Sequence, residues 1–212
     1  MSETNFAAIR LGLSKRANED LGIPPRYRRL ALENYDGNPH DVALARDAVF
    51  RSGGVFLSGA CGVGKTHLAT ALLLDWYASA VETAAASIMP APRPRARFVA
   101  SADLTVELAE LGKRREVTFF KKYDEFECLL LDDLGAELSN ERSRHVFGAM
   151  VDRRFRRMKP MIITSNLSLQ DLSKLYDDRM ASRIAGSCAV IKLTGPDHRV
   201  TPIPKQQALA MG

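Results

Sequence analysis

Five short apolar runs punctuate the chain: GVFLS (Gly54 to Ser58), ARFVA (Ala96 to Ala100), CLLLD (Cys128 to Asp132), MIITS (Met161 to Ser165) and AVIKL (Ala189 to Leu193). The third holds four consecutive apolar residues, the pattern of a strand buried on both faces of a parallel sheet. Longer stretches with helical period separate these runs. One leaves Lys65 towards Ala80, one covers Ser101 to Asp124, and one covers Ser139 to Lys159 with Phe147, Val151 and Phe155 on an apolar stripe. Strands alternating with helices predict an α/β protein whose parallel sheet is covered on both sides. The Pro/Ala/Arg-rich stretch from Pro90 to Arg97 reads as an exposed connection, and Val200 to Gly212 as a loose tail. No internal repeat is present.

At 212 residues, 46% hydrophobic and 26% charged, the chain can bury a core of its own as one domain. The most apolar helical stretch, Leu68 to Met89, is broken by Asp75 and Glu82, which argues against a membrane span. The N-terminus lacks the order of a signal peptide, so the expected location is the cytoplasm. Cys61, Cys128 and Cys188 are odd in number, far apart and without metal-ligand spacing, so they are expected to be reduced thiols. A net charge of +5 suits an anionic partner without selecting one.

Chemistry enters at GACGVGKTH, Gly59 to His67. Gly59, Gly62, Gly64, Lys65 and Thr66 fit G-x-x-x-x-G-K-[ST], between an apolar strand and a helix. The glycines let successive N–H groups and a helix N-terminus point at phosphate oxygens, so Gly59, Ala60, Cys61, Gly62, Val63, Gly64, Lys65, Thr66 and His67 form the expected cradle. Lys65 would neutralise charge at the β/γ position, and Thr66 would offer its hydroxyl to magnesium. A phosphate cradle needs a metal-holding acid at the end of a buried strand. Asp132, closing CLLLD, is the expected second magnesium residue. Asp133 is placed to polarise an attacking water, with Glu137 as the competing base.

GIPPRYRRLALENY (Gly22 to Tyr35), GACGVGKTHLA, LLLDDLGAE (Leu129 to Glu137), ITSNLS (Ile163 to Ser168) and DDRMASRI (Asp177 to Ile184) stand in the order seen in AAA+ ATPases. The chain resembles the DnaC/DnaI/IstB group of that class from about Gly22 to Arg199. The resemblance implies a P-loop fold of the ASCE division, a five-stranded sheet in the order 5-1-4-3-2, and ATP with magnesium as cofactors. It implies that Asn166 is a polar sensor of the γ-phosphate or its water. It also implies that Arg183 is an arginine finger reaching a neighbouring subunit's ATP in a homo-oligomer, with Arg179 as accessory; the two share a helical face. Loaders of this group carry a separate domain that grips the replicative helicase, whereas about twenty residues precede Ile23 here. The expected organisation is a short N-terminal extension (1–21), an ATPase domain (22–199) without a C-terminal lid, and a tail (200–212).

The segment from Ser101 to Asp124 falls where initiator-type members line a channel, and it joins Lys113, Lys121 and Lys122 to Phe119 and Phe120. Cations for phosphates and rings for bases suit a single-stranded DNA track. A core-facing aromatic cluster beside a solvated charge run accounts for the same letters. Arg153, Arg154, Arg156 and Arg157 read as a solvated face. The resemblance implies an ATP-driven factor that loads or remodels a replicative helicase on single-stranded DNA. The alternative is an IstB-like transposition helper, which would prefer duplex DNA and a transposase. Asp133 stands where many AAA+ proteins carry glutamate, which leaves open a nucleotide-gated binding module with little turnover. A small-molecule phosphotransferase would need an acceptor-binding lid, and no such pattern is evident.

Overall fold

The computed structural model describes residues 19–51, 53–88, 92–111, 115–136 and 140–199. The start of the expected extension, the tail from 200, Lys113 and Glu137 lie outside them. The apolar runs form strands β1 (Gly54–Ser58), β2 (Ala96–Ala100), β3 (Cys128–Asp132), β4 (Met161–Ser165) and β5 (Ala189–Lys192). All pair in parallel, in the order β2-β3-β4-β1-β5, which is the expected 5-1-4-3-2 read from the other edge. The three central strands, β1, β3 and β4, are buried at every position, as strands covered on both faces must be. The edge strand β5 stops one residue short of expectation and exposes Val190.

Helices α1 (Pro39–Phe50), α2 (Lys65–Ala85), α3 (Ser101–Leu111), α4 (Glu116–Asp124), α5 (Glu141–Arg156), α6 (Leu169–Leu175) and α7 (Asp178–Ser187) cover the sheet. Asn38 caps α1, Ser168 caps α6 and Asp177 caps α7 through side-chain oxygens, and Asn140 and Ser143 cap α5 reciprocally. Because strand side chains alternate, β1 sends Val55 and Leu57 to one face and Phe56 to the other. Val55, Leu57, Leu130 and Ile162 pack with Val49, Leu68 and Leu72 of α1 and α2. Phe56, Leu129, Leu131 and Ile163 pack with Leu104, Phe119, Phe147, Val151 and Ile184 of α3, α4, α5 and α7.

Two expectations are corrected here. Within the stretch from Ser101 to Asp124 the described residues form α3 and α4, and Phe119, expected on the single-strand track, is 1% exposed, its ring 4.7 Å from that of Tyr123 within the core. It cannot offer a stacking face to a base. Phe120 is half-buried beneath the Arg153 guanidinium, while Lys121 and Lys122 are exposed and Lys122 pairs with Glu107 at 2.8 Å. The basic face of α5 is not uniformly solvated either. Arg154 is buried, and its guanidinium donates to the carbonyls of Phe126 (3.0 Å), Glu127 (2.9 Å), Pro160 (2.9 Å) and Tyr123 (3.3 Å). Burial pulls its pKa down to about 10. These bonds clamp the turns entering β3 and β4, so Arg154 holds two strands whose far ends carry the site.

Candidate nucleotide-binding site

The chain leaves β1, crosses through α2 to β2 at the far edge, and returns through β3 and β4, so neighbouring strands diverge at the β1–β4 boundary. In open parallel sheets such a divergence leaves a crevice beyond the C-terminal strand ends. Register brings Ser58 opposite Ser165 there, with Asp132 closing β3 beside them. A cleft of about 500 Å³ lies at this edge. Cys61, Gly62, Gly64, Lys65, Thr66 and His67 line it on one side, with Asp132, Asp133 and Asn166.

The loop between β1 and α2 has the backbone a phosphate cradle needs. Gly62 (φ 79°) and Gly64 (φ 90°) occupy the left-handed region, and a side chain on Gly64 would also press on the Tyr35 ring at 3.0 Å. Gly64 ends this turn and begins α2, so the helix N-terminus opens onto the cleft. Lys65 is folded back over the loop. Its Nζ donates to the carbonyls of Gly59 (2.9 Å) and Ala60 (2.8 Å) and to Asn166 Oδ1 (2.6 Å). Burial lowers the pKa of Lys65, partly countered by Cys61 and Asp133.

The acidic side is built around a residue that sequence reasoning passed over. Thr164 Oγ1 donates to Asp132 Oδ1 (2.7 Å) and accepts from the Asp133 amide (2.8 Å), fixing both acids with one hydroxyl. Thr66 Oγ1 donates to the same Asp132 oxygen at 3.0 Å. Burial pushes the Asp132 carboxyl up, against the two hydroxyls that favour its charge. Asp133 holds φ at 59°, a left-handed conformation that aspartate tolerates better than most residues. Its Oδ1 accepts from Asn166 Nδ2 at 3.1 Å, so Asn166 spans from Lys65 to Asp133.

A hydroxyl and a carboxylate 3.0 Å apart fit a hard cation that takes most of its ligands from phosphate and water. No cluster of three or more His, Cys, Asp or Glu side chains suited to a metal occurs among the described residues.

The remaining walls were not assigned from sequence. Arg26, Tyr27, Leu30, Asn34, Tyr35 and Asp36 line the cleft from the N-terminal segment, and His198 and Arg199 from the segment after β5. His67 is tied to the former: its Nε2 lies 2.8 Å from Asn34 Oδ1 and 3.1 Å from Ala31 O, and its ring meets Tyr35 edge-on. Both partners are acceptors, so Nε2 carries the proton. The motif Gly22 to Tyr35 held this information, but nothing in its spacing says which side chains turn towards the loop. Arg183 and Arg179 do not line the cleft of their own chain. Arg183 pairs with Asp152 at 3.0 Å, lies over the Phe155 ring and is half-buried, while Arg179 is exposed.

A five-stranded parallel sheet in this order, with a glycine-rich loop and lysine after β1 and an acid after β3, defines a P-loop ATPase of the AAA+ type. The sequence model described as "IstB-like ATP binding protein" matches residues 43–202, and the chain belongs to that family. It is similar to the DnaC helicase loader structure, with 25% identity and a TM-score of 0.67 over 81% of this chain and 100% of that one. It is similar also to DnaI, with 25% identity and a TM-score of 0.61 over 84% and 94%. Among curated proteins, the chromosomal replication initiator DnaA of Rickettsia canadensis (strain McKiel) is 27% identical over 148 residues, 68% of this chain. The match spans only 28% of that initiator's length. No described helix is long and apolar enough to cross a membrane.

Proposed function

We propose that this protein hydrolyses ATP to drive assembly on DNA, as a loader or remodeller of a replicative helicase on single strands. The observation that carries the catalytic half is the meeting of Lys65, Thr66, Asp132, Asp133 and Asn166 in one cleft, drawn from three strand ends. Lys65 and the loop amides neutralise and orient the polyphosphate. Thr66 and Asp132 would hold magnesium, which when bound would supply charge compensation to the polyphosphate. Asp133 takes the water's proton, and Asn166, already bonded to its carboxylate, orients that water. Arg183 completes the site of a neighbouring copy in a homo-oligomer, with Arg179 beside it. Its absence from its own cleft is compatible with that role.

The loading half rests on the likeness to DnaC over that protein's whole described length. Lys121 and Lys122, exposed on α4, are the residues proposed for the single strand, with Lys113 and half-buried Phe120 as further contacts. The family description favours a second reading, an ATP-dependent helper of transposition. Hydrolysis measured with and without DNA separates them. Stimulation by a single-stranded oligonucleotide, abolished in Lys65→Ala, is the expected result. Stimulation by duplex alone selects the transposition reading, and hydrolysis unchanged in Lys65→Ala rejects the cradle.

A further inference from the structure

Packing sets the place of Arg183 before any charge does. Met180 and Ile184 of α7 are buried (2% and 0% exposed) in the core that Phe147, Met150 and Val151 of α5 share. Their burial fixes the rotation of α7 about its axis, so Arg183, beside Ile184, leaves that helix along α5. There two residues of α5 receive it. Asp152 and Phe155 are three apart and so are neighbours on one helical face. Asp152 Oδ1 lies 3.0 Å from Arg183 Nε, and the guanidinium carbon lies 4.9 Å from the centre of the Phe155 ring. The other carboxylate oxygen pairs with Arg156, one turn on, at 2.8 Å. Asp152 is thereby held from both sides.

What this contact leaves free matters as much as what it holds. Nε and the face of the guanidinium are engaged, whereas its two terminal nitrogens make no hydrogen bond among the described residues. Arginines that fasten the fold behave otherwise. Arg154 commits both terminal nitrogens to four carbonyls, and Arg142 donates one to Leu108 O at 2.7 Å. Arg179, one turn before Arg183, is exposed and has no ion pair among the described residues. A long side chain loses rotamer freedom on meeting a ligand, and loses less of it there if its own protein has ordered it first. Arg183 is ordered with its donor fork still available, an arrangement suited to phosphate oxygens.

We propose that Asp152 and Phe155 are positioning residues, which orient the Arg183 guanidinium so that its terminal nitrogens donate to the polyphosphate held by a neighbouring copy of the chain. The inference rests on the trans reading of Arg183 given above. Neither residue lines the cleft of its own chain, so each acts through Arg183.

The test measures ATP hydrolysis by full chains mixed in pairs. Arg183→Ala, which keeps its cradle, is mixed with Lys65→Ala, which brings an intact arginine, and Asp152→Asn is then added to one chain at a time. Carried by the Lys65→Ala chain, it should lower the recovered hydrolysis on the order of ten-fold. Carried by the Arg183→Ala chain, it should change nothing. Phe155→Leu should follow the same pattern, and Asp152→Glu, which keeps the charge, should restore part of the loss. Asp47→Asn removes an ion pair of α1 and should leave the recovery unchanged in either chain. An equal loss whichever chain carries Asp152→Asn marks a residue that supports the fold or the assembly, and overturns the inference. Unchanged recovery with Asp152→Asn in the Lys65→Ala chain overturns it while the trans reading stands, and so does a rise, which would mean that the pair restrains Arg183. No recovery from Arg183→Ala with Lys65→Ala, in chains shown to co-assemble, rejects the trans reading and this inference with it.

Discussion

Asp132, proposed to hold magnesium, shows how such a role would oppose stability. Its carboxylate is buried beside Thr164 and Thr66, and burial raises its pKa in the folded state above the ordinary value. A carboxyl that binds its proton more tightly when folded contributes stability in acid and loses it as pH rises through the folded pKa. At neutral pH the charge is therefore a net cost. An asparagine in its place would keep an oxygen to accept from both threonines while removing that charge. Asp132→Asn should raise the Tm measured without nucleotide or magnesium at pH 7, by about 2–4 °C for each kcal/mol relieved. The gain should shrink towards pH 4, and magnesium-dependent hydrolysis should be lost. A variant less stable than the parent at pH 7 would contradict this account. Asp133 carries a related cost in its left-handed backbone, held by Thr164 and Ser101, the latter bonded to its carbonyl at 2.8 Å.

At the scale of elements, α4 divides its residues between core and surface. Phe119 and Tyr123 are one turn apart and face the sheet, whereas Lys121 and Lys122 face solvent. Substitutions should separate accordingly. Phe119→Ala opens a cavity and should cost about 3–5 kcal/mol in urea denaturation. Lys121→Ala with Lys122→Ala should leave stability nearly unchanged but weaken single-strand binding, flattening its dependence on log salt by about 1.4 if both lysines meet phosphates. Parental salt dependence in the folded double variant would remove α4 from the DNA surface. Both aromatic and basic letters were legible from the pattern. Which of them turned inwards was not, because the letters of α4 leave open which face meets the sheet until α3, α5 and β3 are packed against it.

For the whole molecule, the geometry of Arg183 concerns assembly. It rests on Asp152 and Phe155 of its own chain, outside its own cleft. If it serves a neighbour, Arg183→Ala should bind ATP nearly as the parent does, yet lose hydrolysis by on the order of 10³-fold. Mixed with Lys65→Ala, it should regain part of that activity, since an Arg183→Ala subunit keeps its cradle and receives an intact arginine from its partner. An inactive mixture of demonstrably co-assembled chains would refute the trans role.

What the sequence by itself determined is whatever short-range rules dictate. Continuous apolar runs require strands covered on both faces, helical period between them requires parallel crossovers, and a glycine-rich turn before Lys65 and Thr66 has the pattern of a phosphate loop. The motifs further placed Asp132, Asp133 and Asn166 at strand ends, and parallel pairing brings such ends to one edge. Only the tertiary structure decided which distant groups meet: Lys65 with Asn166, 101 residues later, and Thr164 between two acids. It decided likewise that His67 grips the segment before α1, that Arg154 is buried, and that Arg199 faces the cleft. The reason is physical. Backbone period constrains the direction of a side chain relative to its own element, whereas its partner depends on how loops of unrelated sequence close over one sheet edge.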